Sequence, residues 1–412
     1  MTVFAYRDGI LHAEQVSLAR IADEVGTPVH VYSATALRDA ADGFATALAG
    51  AGVKDARLAF AMKANPNSAV LRLLAGRGYG ADIVSGGELR RALAAGIAPE
   101  GIVFSGVGKT DREMADAIAV GVGQFNLELE EEGHVLAALA AARGRSASAV
   151  LRVNPDVDAG THAKISTGRR GNKFGIEIAD VPEIYDRLAA LDGLDLCGVA
   201  LHIGSQLRDL TPLEQAYRRI GDLIAVLRAR GHAISRVDLG GGLGIAYTPD
   251  EVVPSASDYA AMVARVTADW DVALTFEPGR VIVGAAGVLL TRVIWVKPGV
   301  PHPYVIVDAA MNDLARPALY DAFHRFAAVA PDGTHMLANI AGPVCETGET
   351  FAIGREIDHV RRGDLCVLHT TGAYGAAMAS TYNCRAISPQ LLVDGAEYAV
   401  VGDRVDPVEL AA

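Results

Sequence analysis

Between about residue 34 and residue 276 the sequence alternates short β-like runs with longer helical ones. Parallel strands need a crossover connection, usually a helix, so this alternation predicts a parallel sheet. Strands are predicted at Leu58–Met62, Ala81–Val84, Ile102–Ser105, Gln124–Leu127, Ala149–Val153, Leu196–His202, Val237–Leu239 and Val272–Phe276. The helical patterns between them include Ser68–Ala75, Glu88–Ala95, Arg112–Val120, Glu130–Ala142 and Leu213–Arg228.

Eight strand–helix units within about 250 residues match the size of a closed (β/α)8 barrel of the TIM type. A doubly wound open sheet is the alternative, and the number of strands disfavours it. We therefore predict a barrel over residues 28–279.

The pattern changes after Arg280, where β-like runs are separated by Gly/Pro turns with few long helices between them. The predicted strands are Val281–Val283, Leu289–Lys297, Tyr304–Val307, Met336–Ile340, Asp364–Leu368 and Ala399–Val401. This pattern predicts a mainly antiparallel β domain over residues 280–412. The β-like runs Val3–Tyr6 and Val29–Tyr32 are expected to join its sheet, so residues 1–27 are assigned to that domain.

The composition excludes several classes of protein. Of the 412 residues, 51% are hydrophobic, which excludes a disordered chain, and the net charge of −12 gives no general attraction to nucleic acid or anionic membranes. Four cysteines without a CxxC pair predict neither a disulfide framework nor a zinc site, and no metal is expected.

The sequence also argues against a membrane protein. Residues 1–10 lack the basic and apolar regions of a signal peptide. The longest apolar stretch, Val281–Thr291, is far shorter than the roughly 20 residues that a membrane span needs. We therefore expect a cytoplasmic protein.

Several polar or glycine-rich segments follow the predicted barrel strands, where TIM-type barrels place their active sites. They are Lys63, Asp82, His202 with Ser205, Gly240–Gly242, and Glu277–Arg280. Each has an ordinary structural explanation when taken alone, such as a lysine that reaches water or a glycine turn. Together they fit pyridoxal phosphate, because a lysine forms an imine, a glycine-rich loop binds phosphate, a carboxylate pairs with a pyridine nitrogen and an imidazole stacks on the ring.

Two glycine-rich segments resemble nucleotide-binding motifs but do not complete them. Gly106–Thr110 resembles the end of a P-loop, but position 103, where the first glycine belongs, is Val103. Gly240–Gly244 lacks the spacing of a dinucleotide fingerprint and follows the seventh strand rather than the first.

The second half of the chain has candidates of its own. Arg316 and Tyr320 lie close together in sequence, Cys345 precedes Glu346, and Tyr374 lies in a loop of small residues. A surface salt bridge for Arg316 and an inert buried thiol for Cys345 are the ordinary alternatives.

These segments together resemble the fold-type III, pyridoxal-phosphate-dependent amino-acid decarboxylases over nearly the whole chain. The matching stretches run in the family's order: Lys63–Asn65, Asp82–Glu88, Phe104–Gly106, Lys173–Gly175, His202–Gln206, Asp238–Gly242, Glu277–Arg280, Asn312–Pro317, Cys345–Glu346 and Gly372–Tyr374. The resemblance implies a barrel with a β domain, and a homodimer with shared active sites in which Cys345 and Glu346 reach the partner's site.

The resemblance also implies roles for individual residues. Lys63 would carry the cofactor, His202 would stack on its ring and Glu277 would pair with its pyridine nitrogen. The cofactor, mainly its phosphate, would be held by Asp82, Ser205, Gly241, Gly242, Gly279, Arg280 and Tyr374. The substrate would be bound by Arg280, Arg316, Tyr320, Glu346 and Tyr374, and Cys345 would deliver a proton.

The charges of this site favour one small-molecule amino-acid substrate. Glu346 suits a distal ammonium, and a guanidinium such as that of Arg316 binds a carboxylate with two parallel hydrogen bonds. A distal end with both charges is present in meso-2,6-diaminopimelate. The expected reaction is its decarboxylation to L-lysine and CO2, the last step of lysine biosynthesis.

Three alternatives remain open from the sequence. One is a related decarboxylase for another diamino acid, a D-amino acid or a siderophore or antibiotic intermediate. The second is a pyridoxal-phosphate-dependent racemase with the same domain plan. The third is a regulator without activity, which the presence of both Lys63 and Cys345 disfavours.

Overall fold

The computed structural model describes residues 3–160, 167, 168 and 171–410. Contacts between Cα atoms divide the chain into two compact units. The first, called the barrel unit, contains Ala41–Ile245 and Val252–Arg280. The second, called the β unit, contains Met1–Ala40, Ala246–Glu251 and Val281–Ala412.

Within the described part of the barrel unit, eight parallel strands form a closed ring. In chain order they are Arg57–Ala61, Gly80–Ile83, Ile102–Phe104, Gln124–Leu127, Ala147–Asn154, Leu194–Leu201, Arg236–Asp238 and Ala273–Phe276. The ring closes because the eighth strand pairs with the first. A short strand, Ile176–Glu177, pairs in addition with the fifth. The predicted barrel is confirmed, and every predicted strand lies within two residues of an observed one.

The helices that connect these strands also follow the predicted pattern. They are Ser68–Ala75, Gly86–Ala94, Asp111–Val120, Glu130–Ala141, Val181–Ala189, Thr211–Ala229 and Ala256–Val266, with short 3-10 turns at Met62–Ala64 and Pro99–Gly101. The helix Ala34–Gly50 precedes the first strand. Several of these helices begin at a polar N-cap residue. Thr110 and Ser255 each form a capping box, in which the hydroxyl and a carboxylate three residues later satisfy the first free backbone N–H groups.

The barrel interior is polar at its centre. Gln124 is fully buried on the fourth strand and donates hydrogen bonds from Nε2 to Asn126 Oδ1 and to Asp238 Oδ2, both at 2.9 Å. Arg236 Nη1 donates to the backbone oxygen of Gly123 at 3.1 Å. Because Gln124, Asn126 and Asp238 bond one another, these strands can carry polar side chains into the barrel.

The β unit contains a mixed sheet and a small separate one. The mixed sheet consists of Val29–Ser33, Gly287–Lys297, Tyr304–Val307, Phe326–Ala328, His335–Ala341, Thr350–Asp358, Leu365–Leu368, Gln390–Asp394 and Glu397–Gly402. Most of its pairings are antiparallel, as predicted, but Tyr304–Val307 runs parallel to His335–Ala341 and Val29–Ser33 runs parallel to Gln390–Asp394. Its core packs Val293, Val307 and Ile340.

Three expectations for the β unit were wrong or incomplete. Val281–Val283 is not a strand, because Arg280–Val283 forms one turn of helix, followed by a 3-10 turn at Gly284–Ala286. The predicted strand Val3–Tyr6 lies in a small antiparallel sheet of Phe4–Arg7, Ile10–Ala13 and Val16–Ser17, and not in the mixed sheet. The strands Phe326–Ala328, Thr350–Asp358 and Gln390–Asp394 were not predicted.

Short helical segments complete the β unit. They are Leu18–Val25, Arg316–Tyr320, Ala376–Met378, Tyr382–Cys384 and Pro407–Leu410. Across all described residues of the chain, the structure contains no helix long and apolar enough to cross a membrane.

Candidate active site

The predicted lysine lies at the carboxyl end of the first barrel strand. Lys63 occupies the 3-10 turn Met62–Ala64, and its Nζ donates to Asp82 Oδ2 at 2.7 Å. Asp82 lies near the end of the neighbouring strand Gly80–Ile83 and is buried, whereas the Lys63 side chain is 38% exposed. The other carboxylate oxygen of Asp82, Oδ1, is buried without a hydrogen-bond partner among the described residues. The ion pair therefore holds the amine at the rim while leaving it accessible.

Lys63 faces a cavity of about 390 Å³ inside the barrel unit. His202 and Glu277, predicted to contact the cofactor ring, line the same cavity. The remaining lining residues are Val84, Ser105, Gly106, Val107, Gly108, Asn126, Arg152, Thr167, Phe174, Ala200 and Leu201. The barrel thus brings together residues that are more than 200 positions apart in the sequence.

Glu277 is a buried carboxylic acid. Its Oε1 accepts from Asn126 Nδ2 at 3.3 Å and lies 3.4 Å from Ser105 Oγ. Burial, together with the negative charges of Asp238 and Asp82, raises the pKa of Glu277 well above its ordinary value. Burial therefore favours the protonated form of Glu277 in the free site, and a basic ring nitrogen could take up or share that proton.

His202 is a neutral imidazole. Burial is the main cause that lowers its pKa well below the ordinary value, and the positive charges of Lys63 and Arg152 lower it further. The backbone N–H of Gly241 donates to its Nδ1 at 3.2 Å, so the ring proton is on Nε2. An uncharged ring in a fixed orientation is suited to stacking on an aromatic cofactor.

The loop after the seventh strand has no room for side chains. A Cβ at Gly240, Gly241 or Gly242 would lie 2.2–2.3 Å from the backbone oxygens of Leu201, Glu277 and Gly204, respectively. Gly240 and Gly242 also have φ values of 64° and 108°, which disfavour other residues. The backbone N–H of Gly240 donates to Asp238 Oδ1 and that of Gly241 to His202 Nδ1, so the backbone N–H of Gly242 is the group of this loop that could approach a phosphate.

Ser205, Gly279 and Arg280 extend the same rim. Arg280 is buried, and its Nη2 donates to Ser205 Oγ at 3.2 Å. A Cβ at Gly279 would lie 3.0 Å from the Cβ of Ala61, so only glycine fits there without displacing the first strand. The loop that holds Ser205 is fixed by Gln206, whose side chain bonds both backbone groups of Ile245.

The other predicted site residues belong to the β unit. Arg316 and Tyr320 lie on the helix Arg316–Tyr320, where Arg316 is buried. Cys345 and Glu346 are exposed in the loop before Thr350–Asp358, so Cys345 is not the inert buried thiol of the ordinary alternative. Tyr374 adopts a φ of 58°, a conformation that a residue other than glycine rarely takes.

Arg152 is a site residue that the sequence reasoning missed. It lines the cavity, its Nη1 bonds Glu128 Oε1 at 2.6 Å, and its guanidinium lies 4.8 Å from the Phe174 ring centre. Glu128 also accepts from the backbone N–H of Gly175 at 2.7 Å, which explains the matching stretch at Lys173–Gly175. A charged residue within the buried strand Ala147–Asn154 was the available signal.

Asn126 was missed in the same way. In the strand Gln124–Leu127, polar residues occupy alternate positions, which is the pattern of a strand with polar side chains on one face. Because both residues bond Asp238 at the end of the seventh strand, that face points into the barrel. Asn126 then connects Ser105, Asp238 and Glu277 through its one amide.

Comparisons with known proteins identify the family. Residues 35–284 match the model of the pyridoxal-dependent decarboxylase family, pyridoxal binding domain. The chain is 48% identical to diaminopimelate decarboxylase of Zymomonas mobilis, with 98% of this chain and 96% of that protein covered. The chain belongs to the diaminopimelate decarboxylase family of pyridoxal-dependent decarboxylases.

Solved structures agree with this family. The crystal structure of diaminopimelate decarboxylase from M. jannaschii in co-complex with L-lysine has a TM-score of 0.95 at 33% identity, covering 100% of this chain and 97% of that one. That of Helicobacter pylori complexed with L-lysine has a TM-score of 0.91 at 35% identity, covering 95% and 98%. The predicted resemblance is confirmed.

Pyridoxal phosphate is the cofactor of this family, and the barrel rim fits it. Lys63, Glu277 and His202 line one cavity. Lys63 supplies an accessible amine, Glu277 supplies a carboxyl group whose pKa is raised, and His202 supplies a neutral ring. The tight glycine loop and the buried Arg280–Ser205 pair supply donors for a phosphate.

The buried acid gives a prediction about pH in protein stripped of cofactor. The folded state retains the Glu277 proton above about pH 4.5, where the unfolded chain has lost it, so this group weakens stability as pH rises through that window. Glu277→Gln has no such proton to lose. Its melting midpoint, relative to wild type, should therefore be higher at pH 8 than at pH 5.

Glu214→Gln is the matched control. Arg265 and Arg218 lower the pKa of Glu214 to about 2, so this carboxylate is ionised in both states between pH 5 and pH 8. The difference in melting midpoint between Glu214→Gln and wild type should not change over that range. An equally constant difference for Glu277→Gln would contradict the assignment of Glu277 as a buried acid.

Proposed function

We propose that this protein decarboxylates meso-2,6-diaminopimelate to L-lysine and CO2, the last step of lysine biosynthesis. The observation that carries this is the single cavity lined by Lys63, His202 and Glu277, in a chain 48% identical to a diaminopimelate decarboxylase. Since the reaction releases CO2 from an amino acid, the protein is a carboxy-lyase.

Each rim residue has a defined task in this reaction. When bound, pyridoxal phosphate supplies the electron sink that accepts the pair left by the departing CO2. Lys63, which Asp82 orients, would hold the cofactor covalently. Glu277 would share a proton with the pyridine nitrogen, and His202 would support the ring face. Ser205, Gly241, Gly242, Gly279 and Arg280 of the rim would hold the phosphate side, as would Tyr374 of the β unit.

Recognition of the substrate depends on groups of both charges at its distal end. Arg316, with Tyr320 and Arg280, binds the distal carboxylate, and Glu346 binds the distal ammonium. Tyr374 also contributes to substrate binding. A diamino acid without the distal carboxylate would leave the buried guanidinium of Arg316 without its ligand, which penalises such substrates strongly.

Cys345 delivers the proton that replaces CO2 on the α-carbon. The carbon–carboxylate bond breaks, its electron pair remains on the α-carbon side, and the thiol proton completes the new C–H bond. Cys345 and Glu346 act from the partner in a homodimer, which suits their exposed positions on one protomer. The enzyme works in the cytoplasm, where thiols stay reduced.

A substrate panel tests the proposed reaction. Release of CO2 from meso-diaminopimelate should exceed release from ornithine, lysine and arginine, because only the first has a carboxylate for Arg316. Arg316→Ala should lower kcat/KM for diaminopimelate by about 10²–10⁴-fold and leave the weak activity on the other three unchanged. Faster release from ornithine than from diaminopimelate, or an undiminished Arg316→Ala enzyme, would refute this substrate.

A mixing experiment tests the shared site. Lys63→Ala and Cys345→Ala proteins should each be inactive. After subunit exchange in equal amounts, half of the dimers carry one of each chain and therefore one complete site, so activity should return to about a quarter of wild type. Each variant taken through the same exchange by itself is the control. No recovery in dimers shown to have exchanged would mean that Cys345 serves its own protomer.

A further inference from the structure

Arg316 is supported by other side chains of the β unit on more than one side. Its Nη1 donates to His324 Nε2 at 2.8 Å. Its guanidinium carbon lies 4.7 Å from the centre of the Tyr247 ring. Tyr247 belongs to Ala246–Glu251, the short segment after the seventh barrel strand that groups with the β unit. Neither Tyr247 nor His324 has a role in the reaction described above.

The hydrogen bonds of His324 determine its protonation. His324 is fully buried, and its Nδ1 lies 2.8 Å from the backbone oxygen of His369. A carbonyl only accepts hydrogen bonds, so Nδ1 carries the ring proton. Nε2 then has a free electron pair and accepts from Arg316, which cannot accept in return. His324 is therefore a neutral acceptor with a fixed tautomer.

The neighbouring charges agree with a neutral His324. Arg325 Nη2 lies 2.9 Å from His369 Nε2, so a second arginine–histidine pair lies beside the first. Burial and, secondarily, Arg325 lower the pKa of His369 to about 3, so His369 is neutral as well. The two histidines add no positive charge next to Arg316. Its full charge remains available to a carboxylate.

The two supports hold Arg316 in different directions. The Tyr247 and His324 rings meet edge to face, with centres 5.4 Å apart and planes at 84°. Tyr247 contacts the guanidinium through its π face, and His324 contacts it through a single acceptor atom, Nε2. A guanidinium fixed by both loses its freedom to rotate, and its other N–H groups keep one orientation. Such preorganisation strengthens binding because less side-chain entropy is lost when the ligand arrives.

We propose that Tyr247 and His324 are positioning residues that determine specificity for the substrate's distal carboxylate by orienting Arg316. The inference rests on the proposed role of Arg316 in binding that carboxylate. It assigns a selectivity function to the partly exposed Tyr247 and to the buried His324, which otherwise would be ordinary packing residues.

Binding of two small molecules to the holoenzyme tests this inference. L-Lysine, the product, keeps the distal amino-acid end with its carboxylate, whereas 1,5-diaminopentane has both amines and no carboxylate. Calorimetric titration gives the dissociation constant of each. Wild type should bind L-lysine more tightly, and the ratio of the two constants measures the contribution of the carboxylate alone.

The variants come in matched pairs. Tyr247→Leu removes the π face, and Tyr247→Phe retains it. His324→Leu removes the acceptor, and His324→Gln places an amide oxygen near the position of Nε2. Each Leu variant should weaken L-lysine binding by about tenfold or more while changing diaminopentane binding by less than about twofold. The Phe and Gln variants should recover most of the ratio, and the visible absorbance of the bound cofactor should stay unchanged throughout.

Other outcomes separate the two levels of the account. If the Leu variants bind both ligands equally more weakly, or keep the wild-type ratio of dissociation constants, the positioning role is overturned. A collapsed ratio in Arg316→Ala would then still support the proposed contact of Arg316 with the substrate. An unchanged ratio in Arg316→Ala would overturn that contact itself. If His324→Leu does not fold, the Tyr247 pair decides the inference, because Tyr247→Leu leaves both hydrogen bonds of His324 in place.

Discussion

Three carboxylates are buried together at the carboxyl ends of the barrel strands, those of Asp82, Asp238 and Glu277. The surrounding site depends on how their negative charge is compensated. Isolated buried charges are unstable, so each carboxylate must be paired, hydrogen-bonded or protonated. Asp82 pairs with Lys63, Asp238 accepts from Gln124 and from the backbone N–H of Gly240, and Glu277 retains a proton. The same compensation that makes the core stable produces an oriented amine beside a buried acid.

The barrel could be predicted from the sequence because its signals are local. Each strand is a short apolar run bounded by turns, and eight of them alternate with helices. Lys63, His202 and Glu277 were also predictable, since each follows a strand and parallel strands end at one rim. The β unit was harder to predict. The strand Thr350–Asp358 is interrupted by the exposed residues Ile353, Gly354 and Glu356, which obscure its alternation. Gln390–Asp394 pairs with Val29–Ser33, which lies far away in the sequence.

Residues that act through others were not predictable from the motifs. Arg152 contacts Glu128 and Phe174, which come from separate segments, and only the folded barrel brings the three together. Tyr247 and Arg316 are likewise nearly seventy residues apart, and no spacing rule connects them. The sequence reasoning thus named candidate ligand-binding groups, whereas the structure adds the groups that contact and orient them.

The central claim is that Lys63, beside Asp82 at the barrel rim, is the residue that holds the cofactor. Borohydride converts a reversible amine–carbonyl linkage into a stable one, so treatment of the holoenzyme followed by digestion and mass spectrometry locates the attachment. We expect a pyridoxyl phosphate adduct on the peptide containing Lys63 and none on Lys109, which is buried against Glu132. An adduct on another lysine, or cofactor-loaded protein with no adduct at all, would contradict it.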